Sequence, residues 1–354
     1  MWLFAEHQPT MAQSPLRQNS LIITLALIST SLFLIDCGPD TKEPSKLVDP
    51  NAWIIPDSSV LASSPEADLI RYGKELIINT SHYLGPRGIV SHLSNGMNCG
   101  NCHLEAGTRF NGINFAKVAS TYPKFRERSG RSESVEFRVN DCMERSMNGK
   151  KLDSLSKEMR AMVAYMKWLG KDLPVNANLK GIGIPALPFL KRAALADSGK
   201  NIFVLKCVSC HGINGQGLMK PDSTGYIYPP LWGSWSYNVS AGIYMLTRTA
   251  GFIKYNMPYT NPPMAPQLTD EEAWDLAAFI NSQQRPEKFF LSDWPILSSK
   301  PVDYPFGPYA DSFTKNQHKY GPFEAIKKAK EALIKENKKK AGNQGNRKDP
   351  IFIN

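Results

Sequence analysis

The sequence of 354 residues has only six cysteines and six histidines, and beyond residue 35 it has no apolar run long enough to span a bilayer. Charged residues make up 21% of the chain and hydrophobic residues 42%, close to the averages of globular proteins. This composition excludes a disordered chain, a coiled coil and a polytopic membrane protein. The length predicts two domains, which are large enough to be stable without a disulfide framework.

Basic residues outnumber acidic ones, and the formal net charge is +10. Such a balance allows nucleic acid, an anionic membrane surface or small anions as partners. The excess is uneven, because residues 325–349 hold nine Lys or Arg against three acids and begin in a predicted helix. We interpret this segment as a solvated tail; docking to anionic lipid or to an acidic partner is the alternative. Nucleic acid is not expected, since no recognition motif is present.

An apolar run of 15 residues at 21–35 has the length of a signal-peptide core. Cys37 follows almost at once, which is typical of a bacterial lipoprotein in which that cysteine is lipidated. We therefore expect a lipoprotein-type signal peptide at 1–36, a tether at 37–64 and a membrane-anchored protein in the periplasm. A signal sequence without lipid is the alternative.

Four of the six cysteines lie in two copies of C-x-x-C-H, the attachment sequence of c-type haem. The copies are Cys99, Cys102 and His103, and Cys207, Cys210 and His211. The two thiols of such a motif hold the haem covalently, and the histidine ligates its iron. A zinc site or a thioredoxin-like redox pair is the alternative, but zinc needs four ligands and neither motif has a second ligand pair. The sequence predicts two covalently attached haem c groups.

Helical segments flank each motif. The helices that follow the motifs are predicted to begin at the capping residues Ser156 and Thr269, the second with a capping box to Glu272. We expect the methionines of the first of these helices to pack against haem. The sequence therefore predicts a mostly α-helical protein of two tandem class I cytochrome c-like domains. The predicted boundaries are 65–173 for the N-terminal domain, 174–188 for a linker, 189–290 for the C-terminal domain and 291–354 for an extension with a basic tail.

The second haem needs a sixth ligand, which in electron-transfer haems is usually methionine or histidine. Met257 lies in a proline-rich loop before the closing helix, 46 residues after His211. This position is typical of the methionine ligand of class I cytochromes c. Met264 and Met245 are rivals, and Lys254 is an alternative ligand for another redox state.

The first domain has no comparable loop, but it contains Cys142, which has no disulfide partner if Cys37 carries lipid. A thiolate is a strong anionic haem ligand that lowers the potential of the iron. Spacing alone leaves other interpretations open, namely a buried free thiol, or a distal ligand from Met143, Met147, His82 or His92.

The run R-V-N-D-C-M-E-R-S-M-N-G at 138–149 resembles the distal-ligand segment of the dihaem thiosulfate dehydrogenases, also called tetrathionate reductases. The resemblance covers roughly residues 65–290. It implies an active-site haem ligated by His103 and Cys142, and an electron-transfer haem ligated by His211 and Met257. It also implies that the active-site arginines and serine of the family correspond to Arg128, Arg138 and Ser146.

The implied reaction joins two thiosulfates into tetrathionate and releases two electrons to an external acceptor such as a small cytochrome c. At 4 Å two dianions repel by about 4 kcal/mol even at the dielectric constant of water, so the site needs fixed cations. Arg128 and Arg138 offer them, and Ser146 shares a helix face with Cys142. Without the resemblance, the arginines of 126–131 are more simply a solvated face or contacts to haem propionates. A non-catalytic dihaem electron carrier is the main alternative function, and a dihaem peroxidase is a third.

Overall fold

The computed structural model describes residues 53–175, 177, 179–260 and 264–345, and these belong to one compact unit. The predicted signal peptide, the lipidation site Cys37 and most of the tether lie outside the described residues. Within the described part of the chain, no helix is long and apolar enough to cross a membrane.

The first half of the unit is a small helical bundle around the first C-x-x-C-H motif. Ser64 begins its first helix, because its side chain accepts a hydrogen bond from the Ala67 amide at 3.1 Å and proline occupies the first helical position. Ser156 caps the closing helix in the same way, as predicted. The elements are α1 (Pro65–Ile78), α2 (Thr80–Leu84), α3 (Leu104–Gly107), α4 (Val118–Thr121), the antiparallel pair β1 (Lys124–Arg126) and β2 (Arg131–Glu133), α5 (Val135–Arg145) and α6 (Lys157–Leu169).

The second half repeats this plan around the second motif. Thr269 and Glu272 form the predicted capping box at the start of its closing helix, with bonds of 2.8 and 3.1 Å. The elements are α7 (Ala196–Lys206), α8 (Val208–His211), the antiparallel pair β3 (Leu218–Met219) and β4 (Tyr226–Tyr228), α9 (Leu246–Asn256), α10 (Asp270–Ser282), α11 (Lys315–Tyr320) and α12 (Glu324–Gly345). Short 3-10 helices lie at Ser58–Val60, Cys99–Asn101, Gly242–Tyr244 and Leu297–Ser299.

In each half the first helix crosses the closing helix at a glycine. A Cβ atom on Gly73 of α1 would lie 2.0 Å from the backbone oxygen of Ala161 in α6. On Gly199 of α7 it would lie 1.9 Å from the backbone oxygen of Asp275 in α10. Only glycine allows backbones to approach this closely. These crossings bring the first and closing helices of each half into close backbone contact.

Two segments that the sequence suggests are peripheral pack firmly. In the predicted linker, the Gly181 carbonyl accepts hydrogen bonds from the Asn111 amide at 2.9 Å and from the Asn114 side chain at 2.7 Å. In the C-terminal extension, Phe323 and Ile326 are buried in the core of the second half. Residues 324–345 form the predicted basic helix, but its first turn is part of the fold rather than a solvated tail.

Candidate functional site

A cavity of about 310 Å³ lies beside the first C-x-x-C-H motif. Its wall contains all three residues of the motif, Cys99, Cys102 and His103, and the cysteine of α5, Cys142. The fold therefore brings the predicted proximal and distal residues of the first haem to one cavity, although 39 positions separate His103 from Cys142 in the sequence.

The α5 helix presents one polar face to this cavity. Arg138, Cys142 and Ser146 follow one another at four-residue intervals, and all three line the wall. Ser134 caps the helix by accepting a hydrogen bond from the Phe137 amide at 3.2 Å. The charge of the Cys142 thiolate is the largest cause that raises the pKa of Arg138 above its usual range, against the opposing effect of burial. The two side chains lie one helical turn apart, so negative charge on the sulfur favours the protonated guanidinium.

The His103 ring is oriented as a metal-ligating histidine requires. Its Nδ1 atom is 2.6 Å from the Ile113 carbonyl, and the ring stacks on Phe115 with centroids 4.4 Å apart. Burial lowers the pKa of His103 to about 4, so the ring is neutral at pH 7. With Nδ1 donating to the carbonyl, Nε2 keeps its lone pair for a metal.

The other distal candidates of the first half fall into two groups. Met143 and Met147 line the cavity together with Cys142, so geometry leaves them in reach of a haem. His82 and His92 are exposed and do not belong to its wall. Met162 and Met166 of α6 also line the cavity, as expected for methionines that pack against haem.

A second cavity of about 480 Å³ is lined by Cys207, Cys210, His211 and Met257. The Nδ1 atom of His211 lies 3.2 Å from the Pro229 carbonyl, and burial lowers the pKa of this histidine as it does for His103. The second motif thus repeats the arrangement of the first. Met257 supplies a thioether to the same cavity.

The rival ligands of the second half lie elsewhere. Met245 and Met264 are not part of the cavity wall, and Met264 is exposed. The Lys254 ammonium donates to the Leu268 carbonyl at 2.5 Å and pairs with Asp270 at 3.0 Å. In this conformation Lys254 holds the start of α10 rather than facing the cavity.

The donor sets of both cavities fit haem c. Each offers two thiols at the attachment spacing and a neutral histidine held through Nδ1. Each also offers a sulfur from a later element, Cys142 or Met257, and apolar walls. Burial raises the pKa of Cys99 to about 11 and that of Cys102 to about 12, which suits thiols that become uncharged thioethers.

The two cavities share a wall. Met97 and Cys102 line both of them, and Gly100, Asn101 and Leu104 continue the same segment along the second cavity. A single stretch of backbone around the first motif therefore separates the two cavities.

The first cavity contains two further cations, Arg126, which the sequence assigned to a solvated face or to haem propionates, and Lys117, which it did not indicate. Arg126 and Lys117 line its wall, while Arg131 is exposed and lies over the Phe137 ring at 4.3 Å. Arg126 ends the three-residue strand β1, in which Lys124 and Phe125 are exposed and Arg126 is half-buried. The sequence gives no signal for this orientation, because three residues are too few for a period to be recognised and the apolar Phe125 would be expected to face inwards.

Arg128 is placed differently from Arg138. It is buried behind α5 and is not among the residues that line the cavity. Its Nη1 atom donates to the Ser240 carbonyl at 3.2 Å and lies 4.0 Å from the Asp141 carboxylate. Its predicted role in binding substrate stays a prediction, and the contacts seen here support the helix that carries Cys142.

Arg128 belongs to an ionic cluster around Asp141 of α5, which also contains Arg138, Arg145 and Asp293. Asp141 accepts from Arg138 at 2.7 Å and from the Nε atom of Arg145. Arg145 also donates both Nη atoms to Asp293, each at 2.7 Å. Burial alone would raise the pKa of Asp141, but the charges of Arg138, Arg145 and Arg128 together lower it. Within this cluster, the Asp141 carboxylate restrains the Arg138 side chain.

Comparisons with known proteins agree with this arrangement. Residues 91–175 match the family model of the SoxA/TsdA cytochrome c domain, and residues 196–284 match that of cytochrome c. The two halves are therefore two tandem cytochrome c domains, as predicted.

Among known proteins, the thiosulfate dehydrogenase of Allochromatium vinosum is 37% identical over 236 residues, which cover 64% of this chain and 86% of the relative. That of Stutzerimonas stutzeri is 33% identical over 276 residues, covering 76% and 87%. A solved structure of thiosulfate dehydrogenase (TsdBA) from Marichromatium purpuratum superposes with a TM-score of 0.61 at 29% identity. The match covers 66% of this chain and half (50%) of that one.

Proposed function

Since this chain belongs to the thiosulfate dehydrogenase family of oxidoreductases, we propose that it interconverts thiosulfate and tetrathionate at the first cavity. The observation that carries the proposal is the polar face of α5, where Arg138, Cys142 and Ser146 line one cavity together with His103. This face combines a guanidinium, a sulfur and a hydroxyl, which are the groups that binding and reaction of thiosulfate require.

The proposed haem ligands follow from the two cavities. Cys99 and Cys102 would attach the first haem, and His103 and Cys142 would ligate its iron. Cys207 and Cys210 would attach the second haem, and His211 and Met257 would ligate its iron. When bound, the haems accept electrons one at a time, and thiolate ligation keeps the potential of the first below that of the second. Side chains of the protein bind the substrate and take part in bond formation.

Substrate binding rests on fixed positive charge. Arg138 donates to the sulfonate oxygens of thiosulfate, and Ser146 adds a neutral donor one helical turn beyond Cys142. Arg126 and Lys117 bring further positive charge to the same wall. These cations offset the repulsion of two dianions, which is about 4 kcal/mol at 4 Å in water and larger in a cavity of lower dielectric constant.

The bond-forming step uses the Cys142 sulfur. The Cys142 thiolate and the terminal sulfur of one thiosulfate form an S–S bond, and two electrons leave to the external oxidant. The terminal sulfur of a second thiosulfate then attacks the outer sulfur of this bond, so that tetrathionate forms and the Cys142 thiolate is released. Atoms and charge balance, and the reverse sequence reduces tetrathionate.

The electrons leave through the second site to an external acceptor such as a small cytochrome c. The wall shared by the two cavities supports this order.

We also propose that the protein is periplasmic and anchored by lipid on Cys37, because the apolar run at 21–35 ends just before that cysteine. Labelling of cells with a radioactive fatty acid tests the anchor; Cys37→Ala should abolish the label.

The activity is tested on purified holoprotein in both directions, with thiosulfate plus ferricyanide and with tetrathionate plus a reduced dye. Turnover is expected. If neither assay shows turnover, the result would favour a non-catalytic electron carrier. Cys142→Ala should retain both haems and lose turnover, and it should lose the electron paramagnetic resonance signal of a thiolate-ligated low-spin haem. His92→Ala is the matched control, since His92 is exposed and outside the cavity wall. Normal activity in Cys142→Ala would refute the mechanism.

A further inference from the structure

The loop that carries Met257 is attached to the first domain, not only to its own. Arg109 follows the first motif, and its Nη1 atom donates to the Thr260 carbonyl at 2.8 Å. The same guanidinium lies 5.0 Å from the centroid of the Tyr259 ring. Next to Met257, the Asn256 side chain donates to the Asn111 carbonyl at 3.1 Å. Three contacts from residues 109–111 therefore hold residues 256–260.

Arg109 is well suited to hold a loop. It is only 2% exposed, and the Glu105 carboxylate, 2.5 Å from Nη1, balances its charge. Its Nε atom has no hydrogen-bond partner among the described residues. The hydrogen bonds to Glu105 and to the Thr260 carbonyl are both donated by Nη1. A buried guanidinium with one carboxylate and one carbonyl acceptor has few alternative positions. Its side chain can therefore restrain the Thr260 carbonyl and the Tyr259 ring at the same time.

The restraint matters because of the kind of ligand that this loop carries. A thioether is neutral and a weak ligand, so its place on iron depends on how firmly the protein holds it. Within its own domain, Met257 is held through its amide, which donates to the Ile253 carbonyl at 3.0 Å as α9 ends. Beyond that point the loop gains its next hydrogen bond from Arg109. A contact from the first domain thus limits how far the loop can move from the second cavity.

We propose that Arg109 is a positioning residue for the distal ligand of the second haem. By holding Thr260 and Tyr259 it keeps Met257 in the second cavity, and it ties the ligation of the second haem to the domain that holds the first. This proposal rests on the proposed function, in which Met257 is the axial ligand.

Competition with an external ligand tests the proposal on the ferric holoprotein. Imidazole must displace Met257 to bind the second haem, so its affinity reports how firmly the loop holds the thioether. Loss of a buried hydrogen bond from a charged donor should raise that affinity about tenfold in Arg109→Ala. Arg109→Lys should raise it by a smaller factor, since an ammonium cannot both reach the Thr260 carbonyl and cover the Tyr259 ring.

Arg87→Ala is the matched control. Arg87 also donates from the first domain to a carbonyl of the second, that of Ser223, at 3.0 Å, but it does not contact the Met257 loop. Imidazole affinity should be unchanged in this variant. Unchanged affinity in Arg109→Ala, or in Arg109→Lys where the alanine variant does not fold, would overturn the positioning role.

The absorption spectrum of the wild-type protein distinguishes failure of the Arg109 proposal from failure of the proposal that Met257 is a haem ligand. A ferric wild-type protein without the absorption band of methionine-ligated haem would refute Met257 as the ligand, whatever Arg109 does. A wild-type protein that shows the band, with Arg109 variants of unchanged imidazole affinity, would refute the role of Arg109 alone. Turnover of thiosulfate is measured separately and depends on Cys142.

Discussion

Asp293→Asn removes one of the two negative charges of the ionic cluster around Asp141 of α5. Asp293 lies in the C-terminal extension and receives both Nη atoms of Arg145, each at 2.7 Å. Both side chains are buried, with 7% and 8% exposed. Removal of one partner from such a pair costs about 3–5 kcal/mol, because a buried charge is left behind. Asparagine keeps one acceptor oxygen, so we expect a loss at the lower end, about 3 kcal/mol.

The assay is unfolding of the holoprotein by denaturant, with tryptophan fluorescence as the signal. The matched control is Asp172→Asn, which breaks the Lys171–Asp172 pair of 2.5 Å whose side chains are 51% and 76% exposed. An exposed pair contributes little, so the control should change the free energy of unfolding by less than about 1 kcal/mol. A loss in Asp293→Asn no larger than that of the control would refute the structural role of the extension.

A functional consequence follows from the same contacts. Arg145 donates to both Asp293 and Asp141, and Asp141 in turn holds Arg138 at 2.7 Å. When Asp293 no longer orients Arg145, Arg138 loses part of its support. We therefore expect the KM for thiosulfate to rise in Asp293→Asn while the haem content stays unchanged. An unchanged KM would show that Arg138 is held by Asp141 alone.

Three other predictions follow from the structure. Gly199→Ala should prevent normal packing of α7 on α10 and lower the yield of holoprotein, because its Cβ would lie 1.9 Å from a backbone oxygen. In the control Gly242→Ala the added Cβ meets open space, so the yield of holoprotein should be unchanged. Arg126→Gln should raise the KM for thiosulfate about tenfold by removing a cation from the cavity wall, whereas Arg131→Gln should leave it unchanged. The pKa of Asp141 is lowered in the fold, so its ion pairs stabilise the protein above about pH 4, and this contribution is lost as pH falls through the lower native value. Asp141→Asn should be less stable at neutral pH and lose less stability on acidification, as measured by thermal unfolding.

Local sequence patterns predicted the parts of this protein that depend on short separations. The two C-x-x-C-H motifs, the caps Ser156 and Thr269, and the spacing of Cys142 and Ser146 on one helix face all involve residues within a few positions of each other. Each such pattern has one dominant local structure, so the helices and the haem-attachment segments could be derived without knowledge of the fold.

Long-range pairs could not be predicted in this way. Asp293 and Arg145 are 148 residues apart, and nothing in the sequence near either one indicates the other. The C-terminal extension contains many lysines, and its composition suggested a solvated tail. Two apolar residues at the start of its basic helix, Phe323 and Ile326, are nevertheless buried in the second domain. A short apolar contact of this kind is hidden by the average composition of the segment.

The charges of the first cavity lead to a further expectation about pH. The guanidinium of Arg138 stays protonated throughout the physiological range, and its pKa is raised further, chiefly by the Cys142 charge. The histidine of the cavity, His103, is neutral because burial lowers its pKa to about 4, and the exposed His82 and His92 lie outside the wall. Among the described residues that line this cavity, no cationic imidazole is therefore available to bind thiosulfate near neutrality. The KM for thiosulfate should stay constant, within about twofold, between pH 6 and 8, an interval that brackets the ordinary pKa of histidine near 6.5. A KM that rises about tenfold per unit across this interval would show that a histidine binds the substrate, and that the arginine-based site is wrong.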